Sequence, residues 1–240
     1  MCWTSARIPA LSTPPANEPS ATERVHGLLR ARLIRGEMRP GAMVSLRTLA
    51  GEFGTSAMPV REAAGRLVSE GALEFVRNRG IRVPRMTRER LLDLTALRVF
   101  AETELVKRAA FLLPDEALQA ARRADAAVNA AIAAGDAGAY MRANHAFHFG
   151  LYAAAASPVF FRLAESVWTQ TGPVMSVVHA SLSRLDYSDH HPRILEALAR
   201  QDPAGAAEAT RADIESGLDL IARAGFLTAP AGAAIDFAAA

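Results

Sequence analysis

Apolar side chains recur along most of this chain with the spacing of amphipathic helices. Between Ser20 and Ile34 the stripe is Val25, Leu28, Leu29 and Leu33. Gly36 reads as the stop of that helix, and Pro40-Gly41 as a turn. Ser45 is placed to N-cap a short helix carrying Leu46, Leu49, Ala50 and Phe53, ended by Gly54. A third helix is predicted from about Ala57 to Glu70. Pro59 falls in its first turn, where a missing N–H costs nothing, and Val60, Ala63, Ala64, Leu67 and Val68 turn inward. After Gly71 the helical period gives way to two short segments, Leu73 to Val76 and Ile81 to Val83. They flank Arg77-Asn78-Arg79-Gly80 and read as a hairpin with a basic tip.

Beyond a linker at Pro84 to Thr87 the pattern is helical throughout. The predicted helices run from about Thr87 to Leu113, from Pro114 to Ala134, and from the Asp136 N-cap to Ala155. A fourth starts at Ser157-Pro158, with an interruption or kink expected at Gly172-Pro173. The last two span Ser188 to Arg200, and Asp202-Pro203 to near Gly225. Short connections between such helices predict an antiparallel bundle. Helix, helix, turn, helix and basic hairpin is the order of a winged helix-turn-helix. The expected architecture is therefore mainly α: an N-terminal winged helix-turn-helix over 18–85, then a C-terminal antiparallel all-α bundle over 86–228. A Ser/Thr/Pro/Ala-rich stretch, 1–17, reads as a flexible arm, and the Ala-rich 229–240 as a flexible tail.

Composition sharpens this picture. The chain has 240 residues, 50% of them apolar and only 6% aromatic, which suits one or two α-rich globular domains. The single cysteine, Cys2, excludes a disulfide scaffold and a cysteine zinc site, and fits a reducing, cytoplasmic setting. No apolar run approaches the length of a membrane span, and the first residues lack the pattern of a secretory signal. The net charge of +2 hides an asymmetry: 18–85 holds 12 Arg against 7 Glu, whereas 86–240 holds 14 basic and 18 acidic residues. A basic unit joined to an acidic one points to a polyanionic partner for the first.

In a helix-turn-helix the second helix lies in the major groove of double-stranded DNA, with its N-terminal residues at the base edges. Here Ser56 and Arg61 stand at that end, and Arg61 can fork onto a guanine edge or a phosphate. Arg47, near the start of the preceding helix, would lie along the backbone. Arg79 and Gly80 at the wing tip suit the minor groove, since glycine admits a close backbone approach. Residues 20–84 resemble the GntR family of bacterial transcription regulators. The likeness is carried by Arg39-Pro40-Gly41, Leu46-Arg47-Thr48-Leu49-Ala50, Met58-Pro59-Val60-Arg61-Glu62-Ala63, Glu70-Gly71-Ala72-Leu73 and Arg79-Gly80. It implies DNA contacts at Arg47, Ser56, Arg61, Arg79 and Gly80. Where the family often has Arg directly after the Ser, this chain has Ala57, which can touch a thymine methyl instead.

In the helical part, metal-competent residues interrupt three inward stripes. Asn144 and His148 share a face with Tyr140, Phe147 and Leu151. His191 shares one with Ile194, Leu195 and Leu198, and Asp213 one with Ala206, Ala209, Gly217 and Leu220. Buried polar groups without partners are costly. Meeting around an ion resolves that cost; so do hydrogen-bonded core histidines and an Asp213–Arg pair. Arg98, on the stripe of Leu94, Ala101 and Leu105, needs an anion, either Glu102 at i+4 or an effector carboxylate.

Residues 88–224 resemble the FCD effector-binding domain of the FadR branch of the same family. The likeness lies in Arg98-Val99-Phe100-Ala101-Glu102, Asn144-His145-Ala146-Phe147-His148 and His191-Pro192-Arg193-Ile194-Leu195-Glu196-Ala197-Leu198. It implies a divalent metal (Zn, Ni or Mn) on Asn144, His148 and His191, with Asp213 standing where the pattern has a last His. His145 and His190, one residue off the stripes, read as surface or supporting groups. The resemblance further implies a ligand-responsive regulator, a repressor, with a small carboxylate effector bound jointly by Arg98 and the metal. It would bind as a homodimer to a pseudo-palindromic operator whose half-sites lie about 34 Å apart, with no membrane partner. A rival reading is a metal-dependent hydrolase using Asn144, His148, His191 and Asp213, although the sequence shows no additional Glu or His base beside them. A third is a dimerisation module whose core histidines bind nothing.

Overall fold

The computed structural model describes residues 19–182 and 189–223 with Gly225 and Leu227, and for 177–182 the backbone alone. The predicted arm, the predicted tail and Cys2 lie outside the described residues, as does the predicted start of a helix at Ser188. The N-terminal unit opens with α1 (Ala21–Ile34). Ser20 and Glu23 form a reciprocal capping box that satisfies two of its free amides. Strand β1 (Met43–Val44) leads to α2 (Leu46–Glu52), where the Ser45 hydroxyl accepts from the Thr48 amide. Helix α3 (Ala57–Ser69) and strands β2 (Glu74–Val76) and β3 (Gly80–Arg82) follow. The sheet is antiparallel in the order β1-β3-β2, with Met43 opposite Arg82 and Phe75 opposite Ile81. The sequence showed the hairpin but not β1, because two residues carry no period. Leu29, Leu33, Leu49, Val60, Ala63, Ala64, Leu67 and Ile81 fill the core of this unit, while Val68 is only half-buried.

The helical part comprises α4 (Arg88–Leu112), α5 (Asp115–Ala134), α6 (Ala137–Ala153), α7 (Pro158–Leu182), α8 (His191–Ala199) and α9 (Pro203–Arg223). Thr87 and Asp136 cap α4 and α6 through side-chain oxygens, and Gly135 ends α5 in the left-handed region at φ 67°. The interruption expected at Gly172-Pro173 is absent: α7 continues as helix through both residues. Gly172 is there for contact rather than for breaking. A Cβ at this position would overlap the Leu33 carbonyl and the backbone of Ile34 on α1.

That approach joins the two units. Ser176 donates to the Gly36 carbonyl at 3.1 Å, and Arg30 pairs with Glu165 at 3.2 Å. Arg90 donates to Gln170 at 2.8 Å and also to the Gly71 carbonyl. Ile34 is buried in the core of the bundle, and Leu33, its neighbour, in that of the winged unit. Helix α1 is thus clamped on both sides. No described helix is long and apolar enough to cross a membrane.

Candidate functional site

Helix α3 turns Val60, Ala63, Ala64 and Leu67 into the core, which leaves Ala57, Met58 and Arg61 exposed at its N-terminal end. Ser56 is the N-cap residue but, among the described residues, its hydroxyl makes no capping bond, unlike that of Ser45. Arg47 is exposed on the first turn of α2, and Arg77 and Arg79 are exposed at the wing tip. Asn78 takes φ 59° there, the left-handed turn conformation that Asn tolerates. Arg61, Arg77, Asn78, Arg79 and Gly80 line a cleft of about 420 Å³ between α3 and the wing. None of Arg47, Arg61, Arg77 and Arg79 forms an ion pair among the described residues, whereas Arg30, Arg32, Arg35 and Arg82 of the same unit do.

Gly80 has a structural reason of its own. It sits at φ 119°, and a Cβ would overlap the Val44 carbonyl and the Ser45 Cα. The wing can pair with β1 only because no side chain is present.

In the bundle, the buried polar residues join into one chain. Arg98, 4% exposed, donates to Glu102 through Nε at 2.6 Å and a terminal nitrogen at 3.2 Å. Tyr152 donates its hydroxyl to Glu102 Oε2 at 2.7 Å. The Tyr152 oxygen lies 3.2 Å from His148 Nδ1. With its own proton committed to Glu102, that oxygen accepts from Nδ1–H. His148 Nε2 is then left bare. On the other side, His191 Nδ1 lies 3.0 Å from Asp125 Oδ1, a carboxylate that only accepts, so His191 Nε2 is bare as well. Both Nε2 atoms face Asp213, at 3.3 Å from Oδ2 and 3.8 Å from Oδ1. His191 Nε2 and Asp213 Oδ1 are buried without a hydrogen-bond partner.

Three acceptors therefore converge, a conflict that a proton, a donating water or a metal ion between them removes. Ligands held about 2.0–2.1 Å from a tetrahedral metal stand about 3.4 Å apart, close to the spacing seen here. The Nδ1 contacts to Tyr152 and Asp125 are those that fix metal-binding imidazoles. Asn144 is buried on α6 one turn before His148.

The electrostatics agree with this placement at His148, Tyr152 and Asp213, whereas at His191 they favour a proton on Nε2 shared with Asp213. Burial holds His148 below the ordinary imidazole range despite the pull of Asp213. Burial also opposes charge on His191, but hydrogen bonding to Asp125 and the charges of Asp213 and Asp189 outweigh it and raise its pKa. Asp213, likewise opposed by burial, is held below the usual carboxylate range by His148, His191 and Arg98. Burial and the nearby Glu102 push Tyr152 up, so it stays a donor. His145 stacks on Phe149 at 4.3 Å, and burial brings its pKa down to about 4. His190 bonds Ser216 at 3.0 Å.

Models of two protein families match this chain: "Bacterial regulatory proteins, gntR family" over residues 21–83 and the FCD domain over residues 93–216. The chain belongs to the GntR family of bacterial transcriptional regulators. Similar proteins of this kind include the HTH-type transcriptional regulator McbR of Escherichia coli (strain K12). It is 26% identical over 189 residues, spanning 78% of this chain and 86% of that protein. The HTH-type transcriptional repressor GlaR of the same organism is 26% identical over 211 residues, 82% of this chain and 93% of its own. The solved structure of E. coli McbR/YncC shares the fold, with a TM-score of 0.79 at 24% identity over 86% of this chain and 99% of that one. These GntR relatives are regulators, not enzymes, which overturns the hydrolase reading.

The fold brings His148, His191 and Asp213 together and buries Asn144 beside His148 in sequence. It commits Arg98 to Glu102. Sequence reasoning missed Tyr152 and Asp125, and placed Arg77 at the basic wing tip without giving it a contact. It also saw no additional Glu or His base beside the ligands, yet Glu102 is reached from His148 through Tyr152; Asp125 touches His191 directly. Both are held by fixed partners. Tyr152 was detectable at i+4 from His148. Asp125 had no such signal, because its partner is 66 residues away.

Proposed function

We propose that this GntR-family regulator is a cytoplasmic repressor that binds a pseudo-palindromic operator as a homodimer and is released by a small carboxylate metabolite. Residues 18–85 form the DNA-binding domain and 86–228 the effector domain. The observation that carries the DNA reading is the set of arginines on α2, α3 and the wing that are exposed and unpaired among the described residues. Arg61 and Ser56 meet base edges or phosphates, Ala57 a base edge, Arg47 the backbone, and Arg79 with Gly80 the minor groove. In a mobility-shift assay Arg61→Ala weakens specific binding by about 1–3 kcal/mol while circular dichroism stays unchanged. Unaltered binding would count against this placement of α3.

Exposed Leu92, Phe100 and Phe111 lie along one side of α4, an apolar stripe suited to a twin copy. Sedimentation that stays monomeric at all concentrations would refute the dimer.

His148, His191, Asp213 and Asn144 are assigned as the holders of a divalent cation, Zn, Ni or Mn. That ion would supply positive charge and an open position for an effector carboxylate. Arg98 fixes Glu102, and through it Tyr152 and His148; it reaches an effector directly only by opening that pair. Titration calorimetry on Arg98→Ala separates these roles by ligand affinity. Helix α7 offers the route to DNA. Trp168 lies under the Arg98 guanidinium at 4.6 Å and beside His148 at 5.2 Å, and Gly172 and Ser176 grip α1. An effector acts by binding one placement of the winged units better than another.

A further inference from the structure

The outer end of α3 is apolar where a groove-reading helix is usually polar. Met58 is 63% exposed, more than most large apolar residues of the chain, and Ala57 beside it is exposed too. Neither supports the core, which is built from Val60, Ala63, Ala64 and Leu67. Arg61 lies one turn on, at i+4 from Ala57 and i+3 from Met58, so the three share one face. Glu62 is turned away and accepts from Thr22 at 2.8 Å. Met58 also stands apart from the pairing of charges that neutralises much of this unit.

In the major groove the apolar feature of a base pair is the thymine C5-methyl. Methionine, unbranched and polarisable, adapts to such a surface. We propose that Ala57 and Met58 read thymine methyl groups next to the position contacted by Arg61. Each operator half-site then contains at least one thymine whose methyl, not its hydrogen-bonding edge, is required. This rests on the proposed docking of α3 in the groove.

The test begins with operator fragments selected from random duplexes by the full-length protein. Each half-site thymine is then replaced singly by deoxyuridine, which removes only the methyl. One buried methyl is worth about 0.8 kcal/mol, or roughly fourfold in affinity. The expected result is a loss of that size at one or two positions per half-site. Met58→Ala loses the discrimination at the position Met58 contacts and keeps it at the one Ala57 contacts, and Met58→Leu keeps both. Equal affinity of the wild type for thymine and uracil at every position would overturn the inference and leave the DNA reading standing. Failure to select any sequence would overturn the docking of α3 itself.

Discussion

The winged unit and the helical bundle handle charge in opposite ways. In the first, Arg47, Arg61, Arg77 and Arg79 are exposed and unpaired among the described residues, and the core is wholly apolar. In the second, ionised and polar groups run through the interior from Arg98 to Asp125, each held by a neighbour except where His191 and Asp213 face each other. A surface charge costs little fold stability and is free for a partner. A buried one must be satisfied, so it either stabilises as a set or marks a site for an ion.

The largest effect is expected inside the bundle. Glu102→Ala leaves Arg98 buried without its anion and frees Tyr152, so unfolding stability falls by about 3–5 kcal/mol, as measured by urea denaturation. Next comes the wing. Gly80→Ala forces a side chain into the Val44 carbonyl at a positive φ and costs about 2–3 kcal/mol. A neutral result would show that the wing strand is not held against β1. Arg61→Ala shifts stability by no more than about 0.5 kcal/mol, yet weakens operator binding by about 1–3 kcal/mol. A large loss of stability there would erase the contrast between the regions.

The smallest effect is a pH dependence at His26. It lies 3.9 Å from Glu70, and burial, then the nearby Arg30, holds it below the ordinary imidazole value. A lowered pKa means that the unfolded chain takes up its proton first. The contribution is complete above about pH 6.5 and is lost as pH falls through the folded value. Stability of His26→Gln should decline less between pH 7.5 and pH 5 than that of the wild type; equal slopes would remove His26 as a contributor.

Local chemistry explains what was legible beforehand. Asp136 and Ser45 cap their helices at short range. The stripes of Asn144, His148, His191 and Asp213 obey the helical period, and all four are buried. What stayed hidden depends on contacts between distant segments. Gly172 looked like a breaker because its true neighbour, α1, lies far away in sequence. Gly80 is legible as a wing glycine, but the close approach of Val44 that its missing Cβ permits is not. Asp125 completes the His191 side of the site from a helix whose own pattern gives no sign of it.

The claim that the converging acceptors hold an ion is tested most directly by the metal content of protein purified without chelators, compared with Asp213→Ala. The account predicts one divalent ion per wild-type chain and none in the variant. A fully folded wild-type protein that carries no metal and takes up none when Zn, Ni or Mn is added would contradict it.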